Sequence, residues 1–324
     1  MSNHDDPTSL ADRAFTAPTS ASPLRAERPR DAPLDVDQLH AELELLNRAR
    51  LVPAQPTDDP RRALEAQHAR QLIELDFLER ELTAVRARAL QAPRTARGFV
   101  AWFERLRDDG PGQGDPLFPW LAEHAELSAF RWFLRQEVSG EAGFEDLVAL
   151  TQLRMPAQAK LELARNYWDE LGRGHAGGMH GPMLHRLATA LHLDEIGGAI
   201  VWEARALANL MVGLAANRRY AYHSVGALGV IELTAPGRSA LVNAGLRRCG
   251  VPAHTRQYYA LHATLDVKHS EAWNREVLYA LVDACPDVAP AIAEGALARL
   301  TAGARCFARY RRELGLTGAA ERAA

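Results

Sequence analysis

The 324-residue chain has only three cysteines, Cys249, Cys285 and Cys306, and none stands in a CxxC spacing. An odd number of thiols this far apart excludes a disulfide framework and a zinc ribbon, which suits a reducing compartment. Charge of one sign is also missing: 38 Lys and Arg stand against 41 Asp and Glu, a formal net charge of −3. So balanced a chain makes no strong field for nucleic acid or an anionic membrane, and neither is expected as a partner. The first 33 residues lack an apolar core and a cleavage pattern of the signal-peptide kind. Further on, ALANLMVGLAA is the best apolar run, too short for a membrane span and closed by Arg218 and Arg219. These absences predict a cytoplasmic protein. Alternation of the strand type is absent, as is any repeat of 20 to 50 residues, which disfavours sheets and solenoids.

The chain does contain helical periodicity. With 47% hydrophobic and 24% charged residues it can bury a sizeable core. Residues 1–33, rich in Pro, Ser, Ala, Asp and Arg, are expected to be a disordered leader. Residues 34–115 read as N-terminal helices that cover the main domain or form a dimer seam. The longest of them starts at Asp59-Pro60 and carries an apolar stripe of Leu64, Leu72, Ile73, Leu75, Phe77, Leu78 and Leu82. Residues 116–315 follow as the main helical domain and 316–324 as a tail; Gly and Pro mark the breaks between helices. The fold class predicted is an all-α bundle.

Chemistry concentrates in three segments. In YYALHATLDVKHSEAWNRE, His262, Asp266 and His269 stand at steps of 0, +4 and +7. On an α-helix these point to about 0°, 40° and 340° around the axis, one face, and offer imidazole and carboxylate to a transition metal without a soft sulfur ligand. The plainer reading is of capping or core histidines beside a surface acid. In YHSVGALGVIELTAPGR, Glu232 closes a wholly small and apolar run, where an unpaired carboxylate costs several kcal/mol and calls for a cation. Otherwise it reaches water at a helix end. In YWDELGRGHAGGMHGPML, Glu170 ends a helical pattern, and His175 and His180 follow among five glycines. A straight helix would leave Glu170 and His180 about 80° apart, but an unwound glycine turn can bring them together. His175 reads as an incidental loop residue, His185 and His223 as structural or surface histidines, and Lys268 as solvated.

Glu170, His180, Glu232, His262, Asp266 and His269 thus offer three carboxylates and three imidazoles, the donor set of a carboxylate-rich dinuclear iron or manganese site in a bundle. Their order, E-x9-H, a Glu 52 residues later, and H-x3-D-x2-H after 30 more, resembles the haem-oxygenase-like diiron oxidases and oxygenases, the iron-containing redox enzymes. The resemblance covers roughly residues 125 to 315.

It implies a haem-oxygenase-like bundle and two Fe(II) ions per chain, with Mn/Fe as the variant. It further implies O2 as co-substrate, Glu170 and His180 from the first core helix, Glu232 from the second, and His262, Asp266 and His269 from the third. The E-x9-H interval is similar to that of family members that oxygenate amine or guanidine nitrogens in specialised metabolism. C–C cleavage or desaturation at the same site, and a non-catalytic metal- or ligand-binding module, are the alternatives. Some such enzymes recruit a further carboxylate, for which Glu137, Glu141 and Glu145 are candidates. An external electron donor, a small-molecule substrate and a homodimer are the expected partners. Tyr167, Trp168, Tyr220, Tyr222, Tyr259 and Trp273 are candidates to line the pocket, and Arg165, Arg218 or Arg219 to pair with a substrate carboxylate. A haem oxygenase proper is disfavoured, since it needs no such carboxylates.

Overall fold

The computed structural model describes residues 35–141 and 143–316, so the predicted leader and all of the tail beyond Leu316 lie outside the described residues. Among the described residues there is no strand, and the all-α expectation holds. Two helices come first, α1 (Val36–Leu51) and α2 (Pro60–Ala89). Asp35 accepts a hydrogen bond from the Gln38 amide at 2.9 Å and Asp59 one from the Arg61 amide at 3.0 Å, so each start has its acidic cap. Pro60 occupies the first turn of α2, where a missing amide hydrogen costs nothing.

Then follow α3 (Ala96–Asp109), α4 (Leu117–Glu123), α5 (Leu127–Gly140), α6 (Phe144–Thr151), α7 (Ala157–Glu170), α8 (His180–Ala190) and α9 (Trp202–Ala216). The chain continues through α10 (Ala221–Arg248), α11 (Gln257–Ala272), α12 (Tyr279–Ala284) and α13 (Ala289–Glu313).

The central element is α10, which packs on α11 along one side and on α13 along another. Its approach to α13 is set by glycines. A Cβ on Gly226 would stand 1.8 Å from the Ile292 carbonyl oxygen, and one on Gly295 would stand 1.8 Å from that of His223. Two helix backbones in contact leave no room for a side chain at either point.

Before its last turn α10 carries only two charged side chains, Glu232 and Arg238. With the short turn preceding it, the stretch Arg218–Arg248 is long and apolar enough to cross a membrane by length and composition, although the linear run ALANLMVGLAA is the more conspicuous in sequence. Here that apolarity is spent on the core: Val225, Leu228, Val230 and Val242 are buried.

The stripe expected on α2 divides. Phe77, Leu78 and Leu82 are buried against α1, α9 and α13 of the same chain, whereas Leu64, Leu72 and Leu75 are exposed. The first turns of α2 run past the body of the bundle, so a periodic apolar pattern there has no surface to meet. Of the N-terminal helices, α1 and α2 thus pack on α9 and α13, whereas α3 packs on α10, α12 and residues 273–278.

Candidate metal centre

Glu170 is the last residue of α7 and His180 the first of α8. Between them the backbone unwinds through two short 3-10 turns, with φ of +59° at Gly172, +53° at Arg173 and +85° at Gly174. Gly172 is required twice over: its φ is left-handed, and a Cβ there would lie 2.3 Å from the Gly178 carbonyl carbon. This unwound turn is what the glycine-rich sequence suggested, and it seats His180 Nδ1 directly against Glu170 Oε2. His175, on the outer side of the turn, is exposed and takes no part.

Glu232 enters from α10. Pro236, four residues on, has no amide hydrogen to give the Glu232 carbonyl, so the helix is loosened at the residue that faces the site. Asn166, one turn before Glu170 on α7, donates from Nδ2 to Glu232 Oε1 at 2.6 Å. From α11, His262 and His269 are oriented by partners on their outer nitrogens. Nδ1 of His262 lies 2.7 Å from the Tyr258 carbonyl, which can only accept, so this nitrogen carries the hydrogen and Nε2 is left with its lone pair. Nε2 of His269 lies 3.1 Å from Asp169 Oδ2, and the other oxygen of that carboxylate, Oδ1, accepts from Arg173 Nε at 2.6 Å. The other nitrogen, Nδ1, stands 3.4 Å from Glu232 Oε2 and 3.9 Å from Glu170 Oε1. Immediately after α11 the chain makes a π-helical turn, Trp273–Leu278, a departure that often accompanies functional sites.

The six residues meet as follows. Glu170, His180 and His262 form one group, and Glu170, Glu232 and His269 another; within each, the potential ligand atoms lie within 4.8 Å of one another. Glu170 belongs to both. Asp266 is buried alongside, outside either group but close enough that Glu232 and Glu170 repel its charge.

The electrostatics of this cluster are unfavourable as it stands. Burial, and then the neighbouring Glu232, push the Glu170 carboxyl well above the usual carboxylate range. Burial, Glu232 and Glu170 do the same to Asp266. Burial pulls His180 and His262 down to about 4. His269 also suffers from burial, but Glu232, Asp169 and Glu170 overcome it and lift its pKa to about 9.

Among the described residues, Nε2 of His180 and Oδ1 of Asp266 are buried without a partner, and Nδ1 of His180 and Nδ1 of His269 meet only the carboxylates of Glu170 and Glu232. Each such atom costs roughly 1–3 kcal/mol unless something binds it. Divalent cations bound among these groups would satisfy one nitrogen of each imidazole together with the carboxylate oxygens that face it, and an N and O donor set without sulfur fits iron or manganese.

A cavity of about 150 Å³ adjoins the cluster, lined by Glu170, Glu232, His262 and Asp266 on one side. Of the aromatic candidates only Tyr259 lines it, joined by Tyr258, which sequence reasoning passed over. Trp168 is exposed, Tyr220 donates to Glu79 at 2.8 Å, and Trp273 fills the space that Gly229 leaves.

The arginine candidates are placed elsewhere. Arg165 pairs with Glu162 at 2.9 Å, Arg218 donates to the carbonyls of Leu150, Thr151 and Leu153, and Arg219 is exposed. Those that do line the cavity are Arg238 and Arg299. Glu137 and Glu141 line it too, though Glu141 also accepts the amides of Gly143 and Phe144 ahead of α6. Burial, and then the charge of Glu141, lift the Glu145 carboxyl to about 8, with Glu170 adding the least. His223 lies apart, 3.2 Å from Glu294. Asn166 and Asp169 are the orienting residues that the sequence did not single out; their signal was position, four residues and one residue before Glu170 on a single helix.

Helices of a haem-oxygenase-like bundle that converge on buried carboxylates and imidazoles define a scaffold able to hold metal ions. The model of the iron-containing redox enzyme family matches residues 131–304, and the chain belongs to that family. It is thus an iron-dependent oxidoreductase by family, and the match takes in the five residues of the two groups and Asp266. No individual curated protein matches the chain.

Proposed function

We propose that the protein is a non-haem diiron oxidase or oxygenase that uses O2 to oxidise a small metabolite, with N-oxygenation of an amine or guanidine as its reaction. The observation that carries this is the sharing of Glu170: one carboxylate common to two ligand groups is the arrangement that two adjacent ions need. Glu170, His180 and His262 would hold one ion and Glu170, Glu232 and His269 the other, with Asp266 completing the set. Ferrous iron held there would supply the electrons that reduce O2 and the oxidising power directed at the substrate, with an external electron donor as the expected partner.

The remaining work falls to the chain's own groups. Asp169 keeps the hydrogen of His269 on Nε2 and so presents Nδ1 to the metal side; the Tyr258 carbonyl does the converse for His262, presenting Nε2. Asn166 fixes the rotation of Glu232. Burial of the cluster keeps bulk water from it. The carboxylates at this end of the cavity, Glu141 among them, attract a basic nitrogen, which supports the choice of amine or guanidine.

The test is anaerobic loading of the metal-free protein with Fe(II), metal analysis, and rapid mixing with O2. About two irons per chain and O2 consumption that both Glu170→Ala and His269→Ala abolish are expected. Failure of the folded protein to take up iron, or full activity in both variants, would overturn the assignment.

A further inference from the structure

The cavity beside the cluster has a second end of opposite charge. Arg238 of α10 and Arg299 of α13 line it there, with Glu137 of α5 beside them. Neither guanidinium forms an ion pair among the described residues: Arg238 donates from Nη2 to Thr234 Oγ1 at 2.8 Å, and Arg299 Nε is buried without a hydrogen-bond partner. Other arginines on this fold that secure helices behave differently. Arg86 meets Glu294 at 2.9 Å and Arg305 meets Glu81 at 3.0 Å, each a direct pair.

Burial and the charge of Arg299 pull Arg238 down to about 10 and burial lowers Arg299 as well, but a guanidinium keeps its proton inside a protein, so both are charged at neutral pH. Burial raises the Glu137 carboxyl, against the pull of the two arginines. Two half-buried cations facing one carboxylate leave one positive charge without a carboxylate partner, and an anion in the cavity would complete the set. Phe118 and Phe307 hold the Arg238 guanidinium over their rings, at 5.8 and 5.4 Å, without neutralising it.

We propose that Arg238 and Arg299 bind the carboxylate of the substrate, whose opposite end is the part oxidised at the metal cluster; this rests on the reading of that cluster as an oxygenase centre. Guanidinium forks match a carboxylate in geometry as well as charge. Glu232 and Arg238 are six residues apart on α10, about 9 Å along the axis, so the oxidised atom stands several bonds from the carboxylate. The volume of about 150 Å³ sets the upper size, a molecule of roughly six to ten non-hydrogen atoms. Arg238, Phe118 and Glu232 also line a neighbouring cavity of about 480 Å³, so Arg238 borders both spaces and can receive an anion from either.

Hexanoate and its neutral counterpart hexanamide, titrated calorimetrically into the full-length metal-free protein, test this. Without metal there is no iron to ligate the hexanoate carboxylate, so a preference for the anion that Arg238→Gln and Arg299→Gln remove reports the arginine end. Hexanoate is expected to bind at least about tenfold more tightly than hexanamide, and Arg238→Gln and Arg299→Gln are each expected to erase that preference. The thermal midpoint of Arg299→Gln should be equal to or above that of the parent, because Arg238 then no longer faces a like charge; a purely structural Arg299 would lower it.

Equal binding of the two probes, no binding of hexanoate, or a preference that survives both substitutions would overturn the proposal. Iron uptake, measured separately on parent and variants, keeps the two readings apart. Normal iron loading without the preference sinks the arginine site alone, and the preference without iron loading sinks the diiron centre alone.

Discussion

His269 stands between two carboxylates and offers each a different nitrogen: Nε2 lies 3.1 Å from Asp169 Oδ2, and Nδ1 lies 3.4 Å from Glu232 Oε2. In the metal-free protein the second nitrogen holds a proton where a cation would sit, which is why the imidazole is driven up to about 9. Metal and proton therefore compete for Nδ1. Below pH 9 uptake of metal expels the proton, so affinity should rise with pH between 6 and 9, and protons should be released when metal is added at pH 7. Co(II) titrated into weakly buffered protein with a pH indicator measures both. An affinity that is flat over this range would contradict the role given to His269.

Asn166 touches the proposed centre only through Glu232, which it holds at 2.6 Å. Asn166→Ala should leave the fold intact while freeing the carboxylate to rotate, and iron affinity should fall by about 10- to 100-fold. Asn166→Asp, which places a second anion against Glu232, should be worse than Ala. Competition with a chelator of known affinity reads both, and an Asn166→Ala protein with unchanged affinity would remove this residue from the site.

His40 supplies a pH dependence independent of the metal. It is buried between Phe77 and Trp202, and burial, with the charges of Arg305, Arg80 and Arg205, pulls it down to about 4. Its unfolded value is near 6.5, so the folded state refuses a proton that the unfolded state accepts in between. Stability from this residue is complete above pH 6.5 and is lost as pH falls to 4, by on the order of 3 kcal/mol. The difference in denaturant stability between the parent and His40→Gln should change across that window and stay constant above it.

Much of this arrangement is legible in the sequence, and the reasons are local. His262, Asp266 and His269 share a face because helical periodicity dictates it, and Glu232 announces itself as the lone acid in an apolar run. The arginines are different: Arg238 and Arg299 lie 61 residues apart on helices whose contact depends on Gly226 and Gly295, so only the tertiary fold shows that they face one cavity. Arg165, Arg218 and Arg219 stand near the ligand segments in sequence but not beside the cavity, and Arg238, six residues after Glu232, is told from them only by the fold. The stripe of α2 failed for a related reason, since periodicity states which face is apolar and not how far the surface beneath it extends.

Gly172 links the local and the tertiary. Its φ of +59° and the 2.3 Å approach that a Cβ would make to Gly178 both oppose any side chain, and the turn it forms is what carries the chain from Glu170 to His180. Gly172→Ala should cost about 1–3 kcal/mol of stability and, by displacing His180 from Glu170, weaken iron binding at least about tenfold. Gly177, in the same turn, has no atom within 4 Å of a Cβ placed on it, so Gly177→Ala should leave both properties unchanged. Thermal melts and iron titrations of the pair separate the geometry of this turn from its mere composition. If the two substitutions behave alike, the left-handed turn is not what holds His180 in place.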